Sequence, residues 1–337
     1  MNKNYLLGLD IGGTKIECAL IRLNDKDGDF HITTKKHGKL SAVFLTRQRI
    51  STMRHAGYDE VLANIGKLCL EVLEKNDMGL EDIAGIGMGL PGTIHPEKKI
   101  MLNGNSGIFI GKEITKDLCN FFGKKITIKC ENDATLFALA EVLCGAGQKY
   151  LEETGKKTHD QTAIGLILGT GVGGGIILRE NMLCGKNGGG GEVGHSVLHT
   201  GGHPCYCGNN GCVEQYLSGP SIEALYASRI YSQIKKNPDA REIFEMAKNH
   251  EPLAMAVIKQ YRKNLVKFLT NLTNIFDPDY FVFGGGVSTQ DEIYKGLEEK
   301  LAESSFVPGA SPMVYKHVLG DSSGVVGAAI LLLLDQE

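Results

Sequence analysis

The 337-residue chain lacks the features that would direct it to a membrane or to nucleic acid. It runs straight into Tyr5-Leu6-Leu7-Gly8-Leu9-Asp10 without a basic start, a long apolar stretch or a small-residue cleavage site. Neither a secretory signal nor a transit peptide fits such a start, and a cytoplasmic location is the expectation. The most apolar run, Val325 to Leu334, is too short to span a bilayer and is interrupted by Gly327, so it reads as a buried helix. The formal charge of -3 is spread along the chain, with no basic block long enough to neutralise a phosphodiester backbone. A nucleic-acid partner is therefore not expected. No G-x-x-x-x-G-K-[ST] segment is present, and neither glycine-rich turn opens a helix as a dinucleotide fingerprint requires, which argues against a P-loop NTPase and against an NAD enzyme.

What is present is concentrated. Nine cysteines form an odd set with one tight cluster, and in a reducing compartment such a cluster points to metal more than to disulfides. The cluster lies in Gly191 to Glu214, GEVGHSVLHTGGHPCYCGNNGCVE, where His195-x9-Cys205-x-Cys207-x4-Cys212 offers the one imidazole and three thiolates that tetrahedral zinc prefers. His199 and His203 stand nearby, and His203, two residues before Cys205, is an alternative fourth ligand. Four protein ligands leave no open position, so the zinc is expected to be structural. Cys18, Cys69, Cys119, Cys130, Cys144 and Cys184 read as ordinary thiols.

A second pattern is a repeat. Tyr5 to Asp10 is apolar, Ile11-Gly12-Gly13-Thr14-Lys15 turns, and Ile16 to Leu23 is apolar again, which predicts strand, glycine turn, strand. The grammar returns with Thr162 to Leu168, then Gly169-Thr170-Gly171-Val172-Gly173-Gly174-Gly175, then Ile176 to Leu178. Each copy is followed by a further strand-glycine element, Ile83 to Leu90 leading into Pro91-Gly92 and Tyr280 to Phe283 leading into Gly284-Gly285-Gly286. Helical patterns over Tyr58 to Lys75, Ala134 to Gly145 and Pro252 to Phe276 lie between them. The alternation predicts an internally duplicated α/β chain of two domains with mixed sheets. Glycine turns let backbone N–H groups approach phosphate oxygens, with Thr14 or Thr170 adding a hydroxyl. Two facing turns would grip a nucleotide triphosphate across a cleft.

Together, Leu9 to Lys15, Leu168 to Gly175, Gly191-Glu192-Val193-Gly194-His195 and Cys205-Tyr206-Cys207-Gly208-x-x-Gly211-Cys212-Val213-Glu214 resemble the ROK family (repressor, open reading frame, kinase), over about Tyr5 to Leu334. The resemblance implies an actin-like, hexokinase-type ATPase fold with a cleft between two domains. The expected division is a small N-terminal domain over 1–131, completed by the C-terminal helix 322–337, and a larger domain over 132–321 that holds the zinc segment 191–214. It also implies transfer of the ATP γ-phosphate to a hexose hydroxyl, with Mg2+. The family's repressors carry a winged-helix domain before the sugar-binding body, and here the first strand begins within a few residues, so the kinase branch is expected. A non-catalytic sugar sensor is the rival.

The chemistry needs a fixed carboxylate, because a sugar hydroxyl is a poor nucleophile at neutral pH. Asp133, where an apolar strand (Ile126 to Cys130) gives way to a helix, is the candidate general base and also an ordinary helix N-cap. The family match places Gly92, Asn105, Asn132, Asp133, Glu192, His195 and Glu214 around the sugar. It favours His195 as the zinc ligand, its second ring nitrogen turned to the sugar. ATP is expected at Asp10, Gly12, Gly13, Thr14, Lys15, Gly169, Thr170, Gly171, Gly173, Gly284 and Gly285, with Asp10 holding the Mg2+–phosphate assembly through water. The nine-residue gap between His195 and Cys205 is similar to that of glucokinases, the leading expectation. Fructokinase and N-acetylglucosamine or N-acetylmannosamine kinase are the alternatives. A homodimer is expected from the family alone.

Overall fold

The structure, a computed structural model, describes residues 3–24, 26–104, 106–229, 237–309 and 311–334. Asn105, expected at the sugar, lies outside the described residues. The chain divides into two compact units, Met1–Asp160 with Arg179–Gly190 and Val318–Glu337, and Gln161–Leu178 with Gly191–His317.

The first unit is built on strands β1 (Tyr5–Ile11), β2 (Lys15–Leu23), β3 (Phe30–Thr34), β4 (Gly38–Ser51) and β5 (Ile86–Leu90), a ribbon of β6 (Gly92–Ile94) and β7 (Met101–Gly104), and β8 (Ile128–Asn132). Its main sheet runs β3-β4-β2-β1-β5-β8. The β1–β2, β2–β4 and β3–β4 pairs are antiparallel, whereas β1, β5 and β8 run parallel, so the sheet is mixed. Strand alternation decides what each face carries. Leu7, Leu9 and Ile11 of β1 and Ile86, Met88 and Leu90 of β5 join one apolar core with Val61, Ile65, Leu68 and Val72 of helix α1 (Tyr58–Glu74) and Ile114 and Leu118 of α2 (Ile114–Phe122).

The intervening residues, Gly8, Asp10, Gly87 and Gly89, point to the opposite face, where the C-terminal helix Ser323–Ile330 and α3 (Asp133–Cys144) pack. A side chain at Gly8 would overlap the carbonyl of Val325, and one at Gly87 that of Ala328. The glycines thus let this helix lie at backbone distance on the sheet, against a face whose one carboxylate on β1 is Asp10. Helix α4 (Ala146–Thr154) follows α3. The expected buried helix over Val325 to Leu334 is an α-helix through Ile330 and a 3-10 turn over Leu331–Leu333.

The second unit repeats the opening theme. Strands β9 (Thr162–Leu168) and β10 (Val172–Leu178) form an antiparallel hairpin, and β9 then pairs in parallel with β11 (Tyr280–Gly284), which pairs in parallel with β12 (Met313–Lys316). Every residue of β11 is buried, as a strand covered on both faces must be. Its helices are α5 (Glu214–Leu217), α6 (Gly219–Ala227), α7 (Ala240–Lys248), α8 (Pro252–Phe276) and α9 (Leu297–Ser304). Helix α8 starts with Pro252 at its first turn, capped by Glu251, and buries Val257, Tyr261, Leu265, Phe268 and Leu272 at helical spacing.

Two local readings change. The run Gly173-Gly174-Gly175 belongs to β10 and not to the turn. Gly174 is there because a side chain would press on Val193 and on the Gly191 carbonyl, where the 191–195 loop crosses the strand. The cap of α3 is Asn132 and not Asp133: its Oδ1 accepts from the backbone N–H of Ala134 (2.9 Å) and Thr135 (3.1 Å), leaving Asp133 as the first helical residue.

Candidate functional site

In the first unit the candidate residues gather at the C-terminal ends of β1, β5 and β8. The parallel register sets Asp10 beside Gly89, and Gly89 beside Glu131. Because Gly89 has no side chain, Asp10 and Asp133 both border the space where one would stand, with Asp10 Oδ1 at 3.6 Å and the Asp133 Cα at 3.8 Å. Burial, with the negative charge of Glu17 adding to it and Lys15 and Arg49 opposing it, raises the Asp10 carboxyl from the usual 3.8 to about 6. Asp133 is held at the start of α3, where its Oδ1 accepts from the N–H of Ala134 at 2.8 Å. Asn132 spends its carbonyl on the cap and gives Nδ2 to the Gly92 carbonyl at 3.2 Å. That bond ties Gly92 and the β6–β7 ribbon, in which Gly92 pairs with Gly104, to the Asp133 corner.

Glu131 completes this corner and was not marked by any motif. It is buried; Oε1 accepts from the Asn132 N–H (2.8 Å) and Oε2 from the thiol of Cys184 (3.3 Å). Burial raises its carboxyl, and the Cys184 thiol is pushed up to about 12 by burial and by Glu131, so this cysteine is a proton-holding partner and not a nucleophile.

The two glycine turns have the same backbone economy. In the first, Gly12 N–H closes the turn on the Lys15 carbonyl (2.9 Å), and the N–H groups of Gly13 and Thr14 have no partner among the described residues. In the second, Gly169 N–H closes on the Gly171 carbonyl (3.0 Å), and those of Thr170 and Gly171 likewise have none. Paired free amides in a glycine turn form an anion cradle. Lys15 is exposed at the first turn.

The second turn opens into a cavity of about 520 Å3 lined by Gly169, Thr170, Pro220, Glu223, Arg241, Phe244, Gly286 and Gln290. Gly285 adopts φ 82°, and a side chain there would press on the Leu168 carbonyl, so the end of β11 passes directly against the turn. Gly284 is the last residue of β11, and Gly173 stands inside β10. The Ser218-Gly219-Pro220 start of α6 belongs to the same wall: Gly219 N–H donates to the Gly169 carbonyl at 2.7 Å, a helix-start signal that sequence reading passed over.

Glu214 bridges the turn and the cysteine loop. Its Oε2 accepts from the N–H of Val172 at 3.0 Å, at the point where a side chain on Gly171 would sit. Glu192 is exposed at the head of the single 3-10 turn Val193–His195.

The ligand atoms of His195, Cys205, Cys207 and Cys212 all lie within 4.8 Å of one another. Cys205 Sγ stands 3.6 Å from His195 Nδ1, and Cys207 Sγ 3.6 Å from Cys212 Sγ. Tetrahedral zinc with bonds of about 2.0–2.3 Å needs ligand separations of about 3.3–3.8 Å, so the donor set and its spacing fit that ion. His203 is not in the group; its ring lies 5.3 Å from that of Tyr216. The second nitrogen of His195, expected to face the sugar, meets the Tyr206 hydroxyl at 3.0 Å. No helix among the described residues is long and apolar enough to cross a membrane.

The mixed α/β architecture and the two glycine turns are shared with known proteins. The ROK family model matches residues 6–334, and the chain belongs to the ROK family. It is 31% identical to an N-acetyl-D-glucosamine kinase of Histophilus somni, covering 97% of this chain and 98% of that one. It is 29% identical to a glucokinase of Thermotoga maritima, covering 98% of each. The crystal structure of a ROK family glucokinase from Streptomyces griseus in complex with glucose and AMPPNP superposes with a TM-score of 0.72 at 25% identity, covering 97% of this chain and 98% of that one. The chain is accordingly a ROK-type sugar kinase, a phosphotransferase acting on a sugar hydroxyl.

Proposed function

We propose that the chain phosphorylates a hexose at its 6-hydroxyl with ATP and Mg2+, and that N-acetyl-D-glucosamine is the preferred acceptor. The observation that carries the transfer is the Asp133 corner: a carboxylate fixed at a helix start, with Asn132, Gly92 and Glu131 locked around it by hydrogen bonds. The acceptor rests on the 31% identity over nearly the full length to an N-acetyl-D-glucosamine kinase. Glucose is the second reading, supported by the Thermotoga maritima glucokinase at 29%.

In this reading Asp133 accepts the proton of the attacking hydroxyl as its oxygen bonds to the γ-phosphorus, the bond from that phosphorus to the β,γ-bridging oxygen breaks to release ADP, and Asp133 returns the proton to solvent as the products depart. Asn132 keeps one Nδ2 N–H for a sugar hydroxyl, while its other bonds hold Asp133 in register. The free amides of Gly13, Thr14, Thr170 and Gly171 receive phosphate oxygens, and the cavity from Gly169 to Gln290 takes the nucleoside. Magnesium, when bound, would neutralise phosphate charge, and Asp10 is the residue that would hold it. Glu192, His195 and Glu214 form the sugar-facing edge of the cysteine loop, and zinc at His195, Cys205, Cys207 and Cys212 braces that loop without entering the reaction. Coupled ADP release measured over N-acetylglucosamine, glucose, N-acetylmannosamine, mannose and fructose decides the acceptor. The highest kcat/KM is expected on N-acetylglucosamine; a higher value on glucose gives the second reading, and no turnover on any sugar removes the kinase reading.

A further inference from the structure

We propose that Arg54 is a phosphate-binding residue of the first glycine turn, a cation this chain adds to the Gly13–Thr14 amide cradle. The inference rests on the reading of that turn as a phosphate site and names a side chain that completes it.

Thr52 is fully buried at the end of β4 and grips the turn twice: its N–H donates to the Thr14 carbonyl at 3.0 Å and its hydroxyl to the Gly12 carbonyl at 2.7 Å. With Gly12 N–H closed on Lys15, the turn's remaining donors, at Gly13 and Thr14, are the ones without a partner among the described residues. The chain leaves Thr52 through Met53, a non-glycine residue in the left-handed region at φ 50°, ψ 39°. Such a conformation is unfavourable for a side-chain-bearing residue and persists only when its surroundings impose it.

Its consequence is the position of the next residue. Arg54 opens a 3-10 turn over Arg54–Ala56, and its Nη1 lies 3.8 Å from where a side chain on Gly13 would begin. Apart from Gly13 itself and its neighbours Gly12 and Thr14, nothing else stands within 4 Å of that point. The guanidinium therefore stands beside the turn, on the side of Gly13 from which a side chain would project.

The neighbouring arginines show by contrast that Arg54 is available. Arg47 and Arg49 are both held by the buried carboxylate of Glu17, with hydrogen bonds of 2.8 and 2.7 Å from their Nε atoms. Arg54 has no ion-pair or hydrogen-bond partner among the described residues. An exposed arginine is ordinarily just solvated. Here a doubly anchored strand end and a strained residue fix its backbone beside two unpaired amides, and a guanidinium fork matches the oxygens of a phosphate. Lys15, exposed at the same turn, supplies a second positive charge.

The test uses the full chain and isothermal titration with ATP, ADP and adenosine. Arg54→Gln should weaken ATP and ADP by about tenfold, the scale of one charge-assisted hydrogen bond, and leave adenosine unchanged. Arg54→Lys should recover part of the loss. In steady-state assays the same variant should raise KM for ATP while leaving KM for the sugar as it is. Unchanged ATP and ADP affinities in Arg54→Gln overturn the assignment, as does an equal loss for adenosine. The two readings separate cleanly: a wild-type chain that turns over no sugar, yet loses ATP affinity on Arg54→Gln, keeps the phosphate role and drops the kinase. A wild-type chain with no ATP affinity overturns both.

Discussion

Glu141 is fully buried on α3, and its carboxyl group is the point from which the C-terminal helix is hung. Oε1 accepts from the Leu319 N–H (3.0 Å) and the Ser323 hydroxyl (2.9 Å), and Oε2 from the N–H groups of Val318 (2.9 Å) and Ala146 (3.2 Å). Replacing Glu141 by Gln puts an NH2 group where one oxygen was, so two of the four donors lose their acceptor and face another donor. A buried donor left without a partner costs about 1–3 kcal/mol, which sets the loss for Glu141→Gln at about 2–6 kcal/mol. Glu141→Ala strands all four donors and leaves a cavity as well, for a loss of at least about 4 kcal/mol. With an m-value of about 3 kcal/mol/M in urea, Glu141→Gln lowers the midpoint of the transition of the first unit by about 0.7–2 M, and Glu141→Ala lowers it further. Because that helix packs Gly324 against Asp10, nucleotide affinity should fall with stability. A Glu141→Gln midpoint within about 0.3 M of wild type, or an Ala variant more stable than the Gln variant, refutes the anchoring argument.

Two further outcomes follow from the site. Asp10 holds its proton more tightly in the folded chain, so its contribution to stability is fully present below about pH 4 and is lost as pH rises through about 6. Asp10→Asn should therefore make the unliganded chain up to about 3 kcal/mol more stable at pH 8 and flatten the dependence of melting temperature between pH 4 and 6; an unchanged slope contradicts the burial argument. Elemental analysis of purified protein should find about one zinc per chain, retained in His203→Ala and lost in Cys212→Ser, whereas loss in His203→Ala would reassign the fourth ligand.

Much of this molecule is legible in the sequence because its periodicities are unambiguous. The hairpins at Tyr5–Leu23 and Thr162–Leu178 and helix α8 stand where alternation, glycine and Pro252 put them. The four candidate metal ligands are local in sequence, so their spacing carries the geometry. What was not legible depends on partners distant in the chain. The glycines of β10 read as turn by composition, and only the crossing of the 191–195 loop explains them as strand. The polar strand Gly38–Ser51 carries no simple alternation, yet it delivers Thr52 and Arg54 to the first turn. Asn132, two residues into the Glu131-Asn132-Asp133 run, takes the cap because its short amide reaches two N–H groups. Glu131 was invisible as a site residue, since its meaning comes from Cys184, 53 positions away.

The central claim is that Asp133 accepts the proton of a sugar hydroxyl during phosphoryl transfer. It is tested most directly by single-turnover phosphorylation of N-acetylglucosamine by Asp133→Asn, with ATP and sugar affinities measured on the same preparation. The account predicts a rate lower by about 10^2–10^4 with both affinities within about threefold of wild type. A variant that phosphorylates the sugar at near wild-type rate contradicts it.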